Sequence, residues 1–110
     1  MRDSRTKAQA IKSMLEQEKT SDILVMDVHK LSCMLSHMII CTCTSPAHLR
    51  GLTETLVTYS KSIGEKTICH DNPETGWMLV DLGDCIVHLM TQAMRDHYEL
   101  EKLWQVADSL

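Results

Sequence analysis

The residues of this 110-residue chain that could carry out chemistry are aspartates, cysteines and histidines. Asp81 and Asp84 lie close together, as two carboxylates would in a metal site or a general acid–base pair. A turn at the intervening Gly83 would direct them to different faces of a strand pair, and no third acid follows nearby. We therefore predict that Asp84 is a turn residue and that Asp81 is an acid at a strand edge.

The cysteines are the next candidates, because thiols bind metals and act as nucleophiles. They are Cys33, Cys41, Cys43, Cys69 and Cys85. Cys41 and Cys43 would place both thiols on one side of a strand, and Cys69 precedes His70, but the paired knuckles of a zinc site are absent. Cysteines in apolar segments are typical of small buried residues in a reducing compartment, so we predict neither metal nor cofactor. A metal or redox protein is the alternative.

A nucleophilic pair of Cys43 and His48 is a further hypothesis. His48 lies in the first turn of a predicted helix, where the positive end of the helix dipole disfavours a protonated imidazole. The sequence offers no third, orienting group, no phosphate-binding glycine loop and no Gly-x-Ser-x-Gly elbow. We predict a neutral, hydrogen-bonded His48, a solvated His97 and a protein that is not an enzyme.

The composition is that of a single globular domain spanning residues 1–110, with 44% hydrophobic and 24% charged residues. The formal net charge is −4, and lysines and arginines are scattered, which disfavours binding nucleic acid through its phosphates. No apolar run approaches the roughly 18 residues of a membrane span, and the charged first residues do not resemble a signal peptide. We therefore expect a cytoplasmic protein that does not bind membranes.

Hydrophobic periodicity and turn residues predict the order of helices and strands. The predicted elements are a helix over 1–20, strands at 23–28 and 38–44, a helix from Pro46 to about Gly64, a strand at 66–70, a hairpin of 77–82 with 85–90, a helix over 91–104 and a frayed tail at 105–110. This order predicts an α/β (α+β) fold in which helices cover mainly one face of a mixed sheet of about five strands. The other face would be partly open.

The hairpin allows a prediction about the two faces of the sheet. A two-residue turn at Gly83-Asp84 pairs the strands so that Met78, Val80, Leu82, Cys85, Val87 and Leu89 form one apolar face, which should pack under the helices. The opposite face would carry Trp77, Leu79 and Asp81, facing Met90, His88 and Ile86 respectively. This mixture suits a surface that a partner covers, because Trp often dominates binding energy. Alternatively, Trp77 merely covers the sheet edge.

From Asp22 to Trp104 the chain resembles the ribosomal silencing factor (RsfS, or Iojap) family. The segment DILVMDV is similar to the first strand of the family, and MIICTCTS followed by AHL is similar to its second strand and helix start. The strongest resemblance lies in WMLVDLGDCIVHLM and the following RDHYELEKLW. The chain departs from the family pattern at Cys43 and Ala47, where many members carry Gly and Arg.

The resemblance implies a nucleotidyltransferase-like fold that has lost its catalytic acids. It also implies binding to ribosomal protein uL-fourteen on the large ribosomal subunit, a steric block to joining of the small subunit, and reduced translation under nutrient limitation. A homodimer, rim contact with ribosomal RNA and a residual nucleotidyltransferase or nucleotide-binding activity stay open. The partner-binding residues carried over by position are Trp77, Asp81, His88, Met90, Arg95 and Tyr98. Trp77, Met90 and Tyr98 would be anchors, and Asp81 and Arg95 charge partners.

Overall fold

The computed structural model of the protein describes residues 4–29, 36–72, 76–98 and 108–109. Its elements are α1 (Ser4–Gln17), β1 (Ser21–Asp27), β2 (His37–Cys43), α2 (Pro46–Ser62), β3 (Ile68–Asn72), β4 (Trp77–Asp81), β5 (Cys85–Thr91), α3 (Gln92–Tyr98) and β6 (Asp108–Ser109). The predicted order of helices and strands is confirmed through α3. The expected continuation of the last helix to residue 104 lies outside the described residues, and no helix within them could span a membrane.

The strands form one six-stranded sheet in the order β3-β4-β5-β2-β1-β6. β2 and β5 are parallel, and the other neighbouring strands are antiparallel, so the predicted mixed sheet is confirmed. The sixth strand is an addition, because Asp108–Ser109 pairs with the end of β1 where the sequence indicated a frayed tail. The outer edge of β1 has main-chain groups available for this pairing, a feature that local sequence patterns do not reveal.

Helix α2 begins and ends where its sequence signals predicted. The Ser45 hydroxyl oxygen accepts a hydrogen bond from the backbone N–H of His48 at 3.2 Å, and Pro46 occupies the first turn. Gly64 follows the helix with a φ of +73°, a conformation that favours glycine. The helix buries Leu49, Leu52 and Leu56, which fixes its apolar side against the sheet.

Two hydrophobic clusters lie on opposite sides of the sheet. On the inner face, Ile11 and Leu15 of α1 and the leucines of α2 pack against side chains of β1, β2, β4 and β5. On the outer face, a smaller cluster contains Met26, Met38, Ile40 and Met90, with Met94 of α3 packed against it. Two of the three helices therefore cover the inner face, as predicted, whereas α3 lies on the outer face.

A buried lysine joins α1 to the β4–β5 turn. Lys7 is 2% exposed, and its Nζ donates to Asp84 Oδ1 at 3.0 Å and also to a Glu65 carboxylate oxygen and the Leu82 carbonyl oxygen. Burial by itself would lower the pKa of Lys7, but the hydrogen bonds and charges of Glu65 and Asp84 raise it above the usual value. The ammonium group therefore stays charged and holds the turn against the helix.

Candidate partner-binding surface

The outer face of the β4–β5 hairpin has the composition that the sequence predicted. Trp77 pairs with Met90, Leu79 with His88, and Asp81 with Ile86. Directly paired residues of antiparallel strands point to the same face, so these six side chains form one surface. Its exposure is uneven: the three β4 residues and Ile86 are partly exposed, whereas the other two β5 residues are buried.

Trp77 is held in place by the imidazole beside it. Its Nε1–H donates to His88 Nδ1 at 3.1 Å, and the two ring centroids lie 5.8 Å apart at an interplanar angle of 44°. A ring nitrogen that accepts a hydrogen bond carries no proton, so the imidazole is the neutral tautomer protonated at Nε2. Burial lowers the pKa of His88 to about 4, which keeps it neutral near pH 7. The indole is therefore oriented by a neutral acceptor and remains partly exposed.

Met90 has no exposed surface in this structure. It is fully buried within the outer-face cluster, against which Trp77 and Met94 of α3 also pack. Met90 was predicted to be an apolar anchor, and this role stays a prediction; in this structure α3 lies on the same side of the sheet and Met94 packs against the cluster that contains Met90. Met90 lies beside Trp77, its partner on the neighbouring strand, in the cluster against which the indole packs.

Arg95 is also buried, and its guanidinium group is hydrogen-bonded within the protein. Its side chain is 8% exposed, and Nη1 donates to Thr42 Oγ1 at 3.0 Å and to the carbonyl oxygen of Asp22. These bonds tie α3 to β1 and β2. Arg95 was predicted to be a charge partner, and although its side chain is buried here, that role stays a prediction. The side chain of Tyr98, the last residue of α3, lies outside the described residues.

A glycine that sequence reasoning passed over sets the approach of α3 to the tryptophan. Gly76 has a φ of +89°, and a Cβ at this position would lie 2.7 Å from Thr91 Oγ1 and 3.0 Å from Met94 Cγ. Its carbonyl oxygen accepts a hydrogen bond from the Thr91 N–H at 2.9 Å. Only a residue without a side chain fits this contact. Its place in a turn immediately before Trp77 was the available signal.

The two carboxylates that resembled a metal or acid–base pair have separate structural roles. Asp81 Oδ1 accepts a hydrogen bond from the Gly83 N–H at 2.9 Å, which closes the β4–β5 turn. Asp84 binds Lys7 on the inner side. Within the described ranges, no three His, Cys, Asp or Glu side chains lie close enough together to hold a metal ion.

The Cys43–His48 pair does not have the geometry of a nucleophile and its base. His48 Nδ1 accepts from the Thr44 N–H at 3.0 Å, and Nε2 lies 2.7 Å from the carbonyl oxygen of Glu18, to which it donates. Both ring nitrogens are thus occupied by backbone groups, which agrees with the predicted neutral, hydrogen-bonded histidine. His48 joins the end of α1 to the start of α2.

The cysteines are mostly core residues. Cys41, Cys43 and Cys85 are buried, as predicted, whereas Cys69 is exposed and Cys33 lies outside the described residues. Contact with the neighbouring Cys43 thiol, together with burial, raises the pKa of Cys41, and burial raises that of Cys85 to about 12. Since the thiolate is the reactive form, Cys41 and Cys85 are poor nucleophiles at neutral pH.

The model of a family described as "Ribosomal silencing factor during starvation" matches residues 1–110. The chain belongs to the ribosomal silencing factor family. Ribosomal silencing factor RsfS of Haemophilus influenzae is 40% identical over 91 residues, which cover 82% of this chain and 89% of that protein. Ribosomal silencing factor RsfS of Chromobacterium violaceum is 36% identical over 91 residues, which cover 82% of this chain and 75% of that protein.

Solved structures agree with this membership of the silencing factor family. The crystal structure of a Chromobacterium violaceum protein is similar with a TM-score of 0.86 at 30% identity, covering 94% of this chain and 88% of that chain.

The mouse protein named "Mitochondrial assembly of ribosomal large subunit protein 1" is 33% identical over 100 residues, or 84% of this chain and 42% of that protein. The match thus extends to a relative whose name refers to assembly of the ribosomal large subunit.

In this silencing factor the residues carried over from the family resemblance differ in accessibility. Trp77 and Asp81 are partly exposed, whereas His88, Met90 and Arg95 are buried. The outer face of β4, with Trp77 oriented by His88, is therefore the part of the predicted set that a partner could contact directly. Partner binding by these residues stays a prediction.

Proposed function

We propose that this silencing factor binds ribosomal protein uL-fourteen on the large ribosomal subunit and blocks association with the small subunit. The observation that supports this proposal best is the outer-face position of Trp77, partly exposed and hydrogen-bonded to a buried, neutral His88. An aromatic side chain held in one orientation loses little entropy when a partner covers it. Such residues commonly dominate protein–protein binding energy.

The charge of the chain suits the proposed partner. The formal net charge is −4, and ribosomal proteins that contact RNA are typically basic. Opposite charges increase the rate of encounter and disfavour wrong partners. A protein contact is therefore favoured over binding to ribosomal RNA as the main interaction, although rim contact with RNA remains part of the hypothesis.

The proposed action requires affinity and no chemical step. A surface of about 800 Å² on each partner with a few good anchors is sufficient for a specific complex. The protein is proposed to repress translation under nutrient limitation in the cytoplasm, as the sequence resemblance implied, and not to act as an enzyme. Residual nucleotide binding would appear as saturable heat in calorimetry with ATP and magnesium, and we expect none.

Sedimentation of purified ribosomal subunits tests the proposal directly. Small and large subunits are mixed at a magnesium concentration that favours joining, with and without the protein, and separated on a sucrose gradient. We expect the protein to sediment with the large subunit and the peak of joined ribosomes to decrease. A normal peak of joined ribosomes at saturating protein would contradict the proposal, and the Trp77→Ala variant serves as the control for the surface.

The homodimer that the resemblance suggested is a separate proposal. Analytical ultracentrifugation of the free protein over a concentration series measures it. If the outer face is shared between a second copy and the ribosomal partner, uL-fourteen should convert dimers to one-to-one complexes. A dimer that binds uL-fourteen without dissociating would place the self-association surface elsewhere.

A further inference from the structure

The outer-face surface continues beyond the hairpin onto the edge strand β3. Ile68 of β3 pairs directly with Asp81 of β4, which in turn pairs with Ile86 of β5. Paired residues in antiparallel strands share a face, so these three side chains form a row across the outer face. Ile68 is 53% exposed and is the exposed large hydrophobic residue among those that the structure describes.

This row places a carboxylate between two branched apolar side chains. Adjacent strands lie about 4.8 Å apart, so the two isoleucines are separated by roughly 10 Å with the carboxylate midway. Trp77 is on the same face of the same strand as Asp81, four residues away and roughly 13 Å along β4. The row and the indole are thus close enough for one protein partner to cover both.

The carboxylate of Asp81 is oriented and still has acceptor capacity. Its Oδ1 accepts a hydrogen bond from the Gly83 N–H at 2.9 Å, which fixes the side chain over the turn. An ionised carboxylate can accept about four hydrogen bonds. Lysine and arginine have apolar stems and charged ends, so a carboxylate flanked by two apolar side chains matches both parts of such a side chain.

We propose that Ile68, Asp81 and Ile86 form a slot for one lysine or arginine side chain of the basic protein partner. The aliphatic stem packs over the isoleucines, and its charged end binds the carboxylate of Asp81, which stands between them. The inference rests on the proposed function and adds to it the chemistry of a second anchor. A phosphate group of RNA is disfavoured here, because Asp81 would repel it.

The test compares binding of purified uL-fourteen, and of large subunits, to single-site variants of the full chain. We expect Ile68→Ala and Asp81→Asn each to weaken binding about fivefold. Asparagine keeps an oxygen acceptor for the Gly83 N–H, so the turn should persist. Asp81→Asn should also reduce the dependence of affinity on salt concentration, whereas Ile68→Ala should leave that dependence unchanged. Circular dichroism melting checks that both variants are folded.

Cys69→Ala is the matched control, because Cys69 follows Ile68 on the same exposed edge strand but pairs with Val80, which belongs to the inner-face cluster. It should bind as the unchanged protein does. The double variant Ile68→Ala with Asp81→Asn should bind about tenfold more weakly rather than the roughly twenty-fivefold expected of independent sites, since either change empties the slot.

The outcomes separate this inference from the proposed function. If Trp77→Ala weakens binding while Ile68→Ala and Asp81→Asn do not, the slot is wrong and the proposed function stands. If none of these variants alters binding, the proposed surface itself is wrong. Fully additive effects of the two slot variants, with an unchanged salt dependence for Asp81→Asn, would also overturn the slot.

Discussion

The two faces of the sheet differ in the kind of side chain that they bury. The inner face is packed with branched aliphatic residues from two helices and four strands, and nearly all are inaccessible. The outer face has a smaller cluster dominated by methionines, with a tryptophan and a histidine beside it. Branched residues pack in few arrangements, whereas methionine adapts to its neighbours. The inner face therefore has the more tightly specified packing, whereas the outer face combines an adaptable core with partly exposed residues such as Trp77 and Leu79.

This difference predicts that the stability of the fold depends mainly on the inner face and partner binding mainly on the outer face. Truncation on the inner face should leave a cavity and reduce the free energy of unfolding, with little effect on affinity once the chain is folded. Truncation on exposed parts of the outer face should do the reverse. The following predictions test whether the two faces can be separated in this way.

The largest expected effect is on the inner face. Leu56 of α2 is fully buried in the inner-face cluster, so Leu56→Ala should lower the free energy of unfolding by about 3 kcal/mol through lost burial and a residual cavity. Urea denaturation followed by circular dichroism measures this change. Affinity for uL-fourteen, measured below the denaturation midpoint, should stay within about twofold. A large loss of affinity in the folded variant would show that the two faces are coupled.

The next largest effect concerns Trp77. Trp77→Ala should weaken binding to uL-fourteen by about 2 kcal/mol or more, because the indole is a partly exposed aromatic side chain on the outer face and is our proposed anchor. Isothermal titration calorimetry provides the measurement. Trp77→Phe keeps the apolar ring but removes the N–H donor, so its loss should be smaller. An unchanged affinity for a folded Trp77→Ala variant would exclude this residue from the interface.

A smaller effect is the response of stability to acid. Burial lowers the pKa of His88 to about 4, from 6.5 in an exposed histidine, so the unfolded chain takes up the proton first. The stability contribution of the neutral ring is present above pH 6.5 and is lost progressively as the pH falls towards 4. Between pH 7 and pH 5.5 the loss should be about 1 kcal/mol. Denaturation across this range, with His88→Leu as the control lacking the titrating group, tests the assignment.

Much of the fold was predictable because its signals are local. Ser45 and Pro46 start α2, Gly64 follows its end, and the Gly83-Asp84 turn determines which hairpin residues pair. Each of these signals acts over a few residues, so the sequence alone was sufficient to predict the helix, the hairpin and the two faces of its strands.

The parts that were not predictable depend on distant contacts. The hydrogen bonds of Lys7 were not predicted, because its partners Glu65 and Asp84 are 58 and 77 positions away. Met90 and Arg95 were predicted to be partner-binding residues, and their burial where α3 packs on the outer face was not predicted. Helical periodicity shows which side of a helix is apolar and not which side of a sheet it will cover.

The smallest expected effect tests the hydrogen bond between Trp77 and His88. His88→Leu removes the acceptor and should weaken uL-fourteen binding two- to threefold, near the lower limit for a neutral hydrogen bond. His88→Asn places an amide oxygen close to the former Nδ1 position and should restore most of the affinity. In a Trp77→Phe background, which has no indole N–H, His88→Leu should have no further effect on binding. The NMR resonance of the Trp77 indole proton should shift in His88→Leu and recover in His88→Asn. An equal loss in both backgrounds would mean that His88 supports the surface through packing alone, and the outer face would then orient its tryptophan by shape rather than by a polar contact.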